Sequence, residues 1–197
     1  MDNDTVIDLI RHGEPEGGRM FRGVTDHPLS DRGWEQMRLA SASESGWQAV
    51  VSSPLQRCTE FAETLAEARG LPLEKDTAIR EMDFGAWEGR TAEDILARGP
   101  GDLAGFWADP ENAQPPDGEA LPDFRERVVA GWEGLLGRYS GHHVLVVSHG
   151  GAIRVILAHV LGMPLANLFR MEVPYACRSR IRRDGVGTRL VAHGSHE

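Results

Sequence analysis

The sequence predicts an α/β fold, three layers α/β/α around a largely parallel sheet. Three features point there. Short apolar runs, Val6 to Ile10, Ala49 to Ser52 and Val144 to Val147, alternate with stretches whose apolar residues recur at helical spacing. The run Val144-Leu145-Val146-Val147 has no polar alternation, which suits a central strand buried on both faces. Each run stops at a polar cluster: Arg11-His12-Gly13, Ser53 to Arg57, and Ser148-His149-Gly150-Gly151. In parallel sheets ligands bind beyond the carboxyl ends of strands, so these three clusters are the first places to look for chemistry.

Taken in order, Val6-Ile7-Asp8-Leu9-Ile10 reads as the first strand. A Gly17-Gly18 loop and the turn Asp26-His27-Pro28 follow. Ser30 to Ser43 reads as a helix, with Ser30 as its cap and Trp34 and Met37 three apart. After the strand at Ala49, the residues Leu55, Cys58, Ala62 and Leu65 mark a second helix. An edge strand is expected at Leu73 to Lys75, then a loop, Glu81-Met82-Asp83-Phe84-Gly85. Residues 91 to 118 are rich in Pro, Gly and acids and read as a cap-like excursion, with one short helix from Ala92 to Arg98. Leu121, Phe124, Val128, Trp132 and Leu135 form the next helical stripe. Ile153, Ile156, Leu157, Val160 and Leu161 form another, ended by Gly162 and Pro164. From Leu168 onward two or three antiparallel strands are expected. The 197 residues therefore read as one domain with an excursion at about 90–120.

With 41% hydrophobic and 26% charged residues the composition is that of an ordinary soluble globular protein. A net charge of -9 opposes sequence-independent attraction to nucleic acid or anionic membrane. Neither partner is expected, and no membrane span or signal peptide is read. Cys58 and Cys177 give no disulfide framework, so free thiols in a cytoplasmic protein are expected. Of the remaining residues, Trp34, Trp47 and Trp132 read as core, and His142, His143, His193 and His196 as surface. His159 reads as structural and His27 as turn chemistry. The apolar stretch from Leu168 to Ala176 is a candidate homodimer surface.

Arg11 offers a rigid fork for phosphate and Gly13 permits close backbone approach. Arg57, in the first turn of its helix, is expected to point at the same crevice. Gly150 and Gly151 open a helix after His149, and free N–H groups at a helix start suit an anion. Arg80 to Gly89 sets three acids among aromatic residues, so one carboxyl is expected in a partly dry place, as a general acid needs.

In this order and with these flanks the clusters resemble the histidine phosphatase superfamily, also called phosphoglycerate mutase-like, from Ile7 to about Ile181. The Arg11-His12-Gly13 signature with the late Ser148-His149-Gly150-Gly151 carries that resemblance. The segment Phe84 to Gly89 and the cap sequence Pro116-Asp117-Gly118-Glu119 look most like the α-ribazole-5′-phosphate phosphatase subgroup of cobalamin assembly. The resemblance implies a metal-independent, cofactor-free phosphatase acting on a small-molecule phosphate monoester. His12 would be the nucleophile that becomes phosphohistidine, with Arg11, Arg57 and His149 around the phosphoryl oxygens. By family position Glu81 would be the proton donor, with Asp83 its competitor.

The chain departs from many relatives in lacking an Asn shortly after the signature, where it reads Glu14-Pro15-Glu16-Gly17-Gly18-Arg19. A backbone N–H at Gly17 or Gly18, or the side chain of Arg22, is expected in its place, in a substrate loop that includes Arg22 and Gly23. The rival readings are phosphoglycerate mutase-type transfer, a metal-dependent hydrolase, and a phosphate-binding module without turnover. Between Thr91 and Phe124, Arg98 is the one basic residue against eight acids, a poor clamp for a second phosphate. Metal ligands at coordinating spacing are not seen in the sequence. Phe106 and Trp107 are expected in the core, with stacking on a base or sugar as the alternative.

Overall fold

The computed structural model describes residues 4–97 and 101–194, with the side chains of residues 101 and 102 left out. Arg98, His196 and the Asp102 side chain thus lie outside the described residues. The strands are β1 (Thr5–Arg11), β2 (Ala49–Ser52), β3 (Leu73–Lys75), β4 (His143–Ser148), β5 (Arg178–Asp184) and β6 (Gly187–Gly194). The helices are α1 (Asp31–Ala42), α2 (Gln56–Arg69), α3 (Ala92–Leu96), α4 (Gly101–Ala108), α5 (Leu121–Arg138) and α6 (Gly150–Val160). One sheet runs β3-β2-β4-β1-β5-β6. Its first four strands are mutually parallel, and β5 and β6 are antiparallel.

The alternation of side chains along each strand sorts the core into two layers. Ile7, Leu9, Val51, Val144 and Val146 face α5 and α6. Ile10, Val50, Leu145 and Val147 face α1 and α2, where Met37, Phe61 and Ala62 pack. Both faces are covered, so β4 is buried along nearly its whole length, as its unbroken apolar run predicts. Ser30 caps α1 as expected, its hydroxyl accepting from Gly33 N–H.

One sequence expectation gives way here. The excursion holds a second helix, α4, which buries Leu103 and Phe106. Its composition reads as loop because tertiary burial, not propensity, secures it. Two antiparallel strands form the C-terminal part, within the expectation, and Leu165–Arg170 precedes them as a 3-10 turn. In the stretch offered as a homodimer surface, Leu168, Val173 and Ala176 are buried in this chain's own core. Among the described residues no helix is long and apolar enough to cross a membrane.

His143 is not a bare surface residue. It bonds Asp8, a fully buried carboxylate that also accepts from Trp47 Nε1 and twice from Arg180. Asp8, Glu44 and His143 come from distant parts of the sequence and bring ligand-type atoms within 4.8 Å of one another, a grouping that sequence spacing does not reveal. Arg180 neutralises it, pairing with both Asp8 and Glu44. Burial alone would raise the Asp8 carboxyl. The bonds from Arg180, His143 and Trp47 outweigh it and hold the group well below the usual carboxylate range. Its stabilisation is therefore present above the unfolded-state value of about 3.9 and is lost as pH falls through the lower folded value. Asp8→Asn is expected to cost on the order of 3 kcal/mol near neutral pH. Urea melts at several pH values check this: the gap from wild type must narrow in acid.

Candidate active site

Sheet register builds the site. Arg11 pairs with Ser148 across the parallel β1–β4 ladder, and His12 N–H donates to Ser148 O at 2.9 Å. The residues just beyond each strand end are then His12 and His149, so their rings meet edge to face with centroids 5.2 Å apart. Ser52 pairs with Val147 on the other side of β4, which sets Ser53 beside the same point. The three clusters at strand ends do converge.

His12 is buried, and its Nδ1 lies 2.7 Å from Gly13 O. A carbonyl can only accept, so Nδ1 carries the hydrogen and Nε2 keeps its lone pair. Burial, and then the charges of Arg11, Arg57 and Arg22, hold the imidazole well below its ordinary value of 6.5. His149 is depressed in the same way, by burial first and Arg57 next. Both rings are neutral at physiological pH. Cys58, beside His149, is pushed up to about 12 by burial and stays a thiol.

Arg57 and His149 are the most deeply set of these groups. Both are fully buried. Arg57 Nε donates to His149 Nδ1 at 3.3 Å, Nη1 donates to Thr25 O, and Nη2 donates to the carbonyls of Arg22 and Gly23. His149 Nε2 is therefore protonated and donates to Ser53 Oγ at 2.7 Å. Arg57 and His149 thus form a braced layer against His12. The reason is the loop at residues 22–25, whose carbonyls attract Arg57.

In front of that layer lies a cavity of about 290 Å³. Arg11, His12, Arg22, Glu81, Gly150, Gly151 and Arg154 supply its polar part. Arg11 stacks over the Tyr175 ring at 4.2 Å and donates to Val173 O, while its buried Nε has no hydrogen-bond partner among the described residues. Arg22 donates to Glu16 O, Gly18 O and His27 Nδ1. Of the substitutes for the absent Asn, the Arg22 side chain reaches the cavity wall, while the Gly18 carbonyl helps to brace it. His27 is thus a brace as well as a turn residue. Gly23 lies behind the wall.

Glu81 is buried, one oxygen accepting from its neighbour Met82 N–H and the other from Gly151 N–H at 3.0 Å. The helix-start N–H read as free for an anion is taken by this carboxylate. A Cβ on Gly151 would lie 2.2 Å from Glu81 Oε1, so only glycine admits the carboxyl here. Gly151→Ala is expected to displace Glu81 and lower kcat/KM by about 100-fold while Tm changes far less. Steady-state kinetics beside thermal melts check it. Asp83, the competitor, caps Gly85 N–H and does not line the cavity.

The rest of the wall is apolar and comes from residues that composition does not single out. Phe21 and Phe84 meet at 5.1 Å, Trp87 contacts both Phe21 and Phe106, and Phe106 meets Phe169 at 5.6 Å. Trp107 and Phe169 remain 46% and 38% exposed at the rim. Phe106 is core, as expected, and also lines the cavity, whereas Trp107, expected in the core, stands at the cavity rim. Among the described residues the excursion contributes apolar groups to the wall, not the acids counted in sequence. Arg154, four residues after Gly150, is the charged residue that the sequence reading missed. It sits on the cavity side of α6 and donates to Met171 O, and its periodic position beside the apolar stripe was the available signal.

A protein of Mycobacterium tuberculosis described as bifunctional is 37% identical over 180 residues, covering 89% of this chain and 49% of its own length. At that identity the chain spans about half the length of the curated relative it matches. The adenosylcobalamin/alpha-ribazole phosphatase of Salmonella typhimurium is 30% identical over 177 residues, 88% of each chain. Among solved structures, Bacillus stearothermophilus YhfR superposes with a TM-score of 0.89 at 29% identity, covering 98% of both chains. The family model for the histidine phosphatase superfamily, branch 1, matches residues 7–196, and the chain belongs to that superfamily.

Proposed function

We propose that this chain hydrolyses phosphate monoesters through a covalent phosphohistidine at His12. The observation that carries it is an imidazole whose Nδ1–H is fixed on Gly13 O and whose burial, with Arg11 and Arg57 beside it, keeps the ring neutral. In the first step Nε2 attacks phosphorus in line, an N–P bond forms, and the ester P–O bond breaks. Glu81 acts as the acid of this step and gives a proton to the leaving oxygen. In the second, Glu81 takes a proton from water, the hydroxide attacks phosphorus, and the N–P pair returns to Nε2 as phosphate leaves.

Arg11 suits a phosphoryl oxygen through its unpartnered Nε. Arg57 spends four of its five N–H groups in the bonds described above, and we assign the fifth, on Nη1, to the same phosphoryl group. His149 is held by Arg57 and packs on His12. The apolar wall favours a leaving group with an uncharged, flat remainder that Trp107 and Phe169 can cover. α-Ribazole 5′-phosphate fits that class, and the similarity to a relative named for it supports the choice.

The acid limb of kcat/KM is expected below pH 6.5, because a nucleophile depressed from that value stays neutral to lower pH. A pH–rate profile checks it. The function itself is tested with 4-nitrophenyl phosphate, α-ribazole 5′-phosphate and 3-phosphoglycerate, each in EDTA and after rapid alkaline quench. Turnover in chelator with an alkali-stable, acid-labile phosphoenzyme is expected. Loss of activity in chelator, or no turnover and no labelled enzyme, would overturn it.

A further inference from the structure

We infer that Glu88 is a positioning residue for Arg57, acting through the backbone of the loop at residues 23–25. The inference rests on the proposed function for its kinetic readout. Glu88 lies at the end of the short turn Gly85–Trp87, far from His12 in sequence and absent from the cavity wall. Its Oε1 accepts from the backbone N–H groups of Gly23, Val24 and Phe84 at 2.9–3.1 Å. Its Oε2 accepts from Thr25 N–H and from the Thr25 hydroxyl. Three consecutive amides therefore converge on one carboxylate, an arrangement suited to a fixed negative charge.

The opposite side of the same loop holds the guanidinium. The carbonyls of Arg22, Gly23 and Thr25 accept from Arg57, which in turn orients His149. The Arg22–Gly23 and Gly23–Val24 peptide dipoles are thus aligned between an anion on their N–H side and a cation on their C=O side. Each charge polarises the peptide groups in the sense that favours the other. Arg57 is fully buried, and among the described residues no carboxylate is its hydrogen-bond partner. Glu88 supplies the compensating charge across one layer of backbone. Gly23 is what lets the layer be this thin: a Cβ there would lie 1.9 Å from Met82 O and 2.5 Å from Glu88 Oε1.

A double-mutant cycle tests the coupling. In the wild-type background Glu88→Gln, which keeps the shape and removes the charge, is expected to lower kcat/KM for 4-nitrophenyl phosphate about 30-fold. In the Arg57→Ala background the same change is expected to cost less than about 3-fold, because the group it positions is gone. An unchanged kcat/KM for Glu88→Gln, or equal losses in both backgrounds, would overturn the inference, since a merely structural residue gives additive losses. The cycle is repeated on the affinity for inorganic phosphate, which needs no turnover. A chain that binds phosphate with this non-additivity but does not hydrolyse the ester would refute the proposed function and leave the role of Glu88 standing. If Glu88→Gln does not fold, Thr25→Val, which removes one donor to the same carboxylate, takes its place in the cycle.

Discussion

Replacing His12 with alanine is expected to eliminate the phosphoenzyme and to lower kcat by on the order of 10⁵-fold or more, the loss typical of removing a nucleophile that works with its neighbours as a unit. His149 does not replace it. Its one ring lone pair, on Nδ1, accepts from Arg57, and its Nε2–H faces Ser53, so no nitrogen is available to attack phosphorus. Cys58 is no substitute either, because burial keeps it protonated. Rapid quench with labelled ester reads the phosphoenzyme directly. The folded state should be little disturbed, since the His12 side chain makes a single hydrogen bond, to Gly13 O.

Arg57→Ala has the second largest expected effect, a loss of on the order of 10²–10³ in kcat/KM, as for other positioned donors to developing charge. Here kinetics and stability are expected to fall together. The substitution leaves the carbonyls of Arg22, Gly23 and Thr25 without their donor and releases His149. Lysine should restore little, because an ammonium cannot reproduce the planar fork that reaches three carbonyls and a ring nitrogen. The sign of the pH effect separates charge from packing. Arg57 lowers both His12 and His149, so its removal should move the acid limb of kcat/KM upward, toward 6.5. A pH profile of Arg57→Ala that keeps the wild-type limb would count against the electrostatic role.

Strand ends, period and signature were local properties, and the chain stated them locally. The apolar run at Val144 demanded a doubly covered strand, the spacing of Ile153, Ile156 and Leu157 demanded a helix on it, and Ser30 announced where α1 begins. These steps need only side-chain alternation and capping, which act within a few residues. The pairing of His12 with His149 could be expected from resemblance, but the reason for it, the Arg11–Ser148 register, belongs to the sheet.

What tertiary structure alone decided is which polar group faces which. Arg57 turned inward because three loop carbonyls, more than thirty residues away in sequence, offered acceptors that a buried guanidinium cannot forgo. Glu81 took the N–H at the start of α6, and Arg154 turned to the cavity, through contacts that join residues far apart in sequence. The acids of the excursion counted in its composition, yet its apolar residues formed the wall, since burial selects side chains by free energy and not by frequency. A sequence lists donors, acceptors and hydrophobes; only the packed chain determines how they are partnered, because each buried polar group is satisfied by whatever the fold brings within about 3 Å.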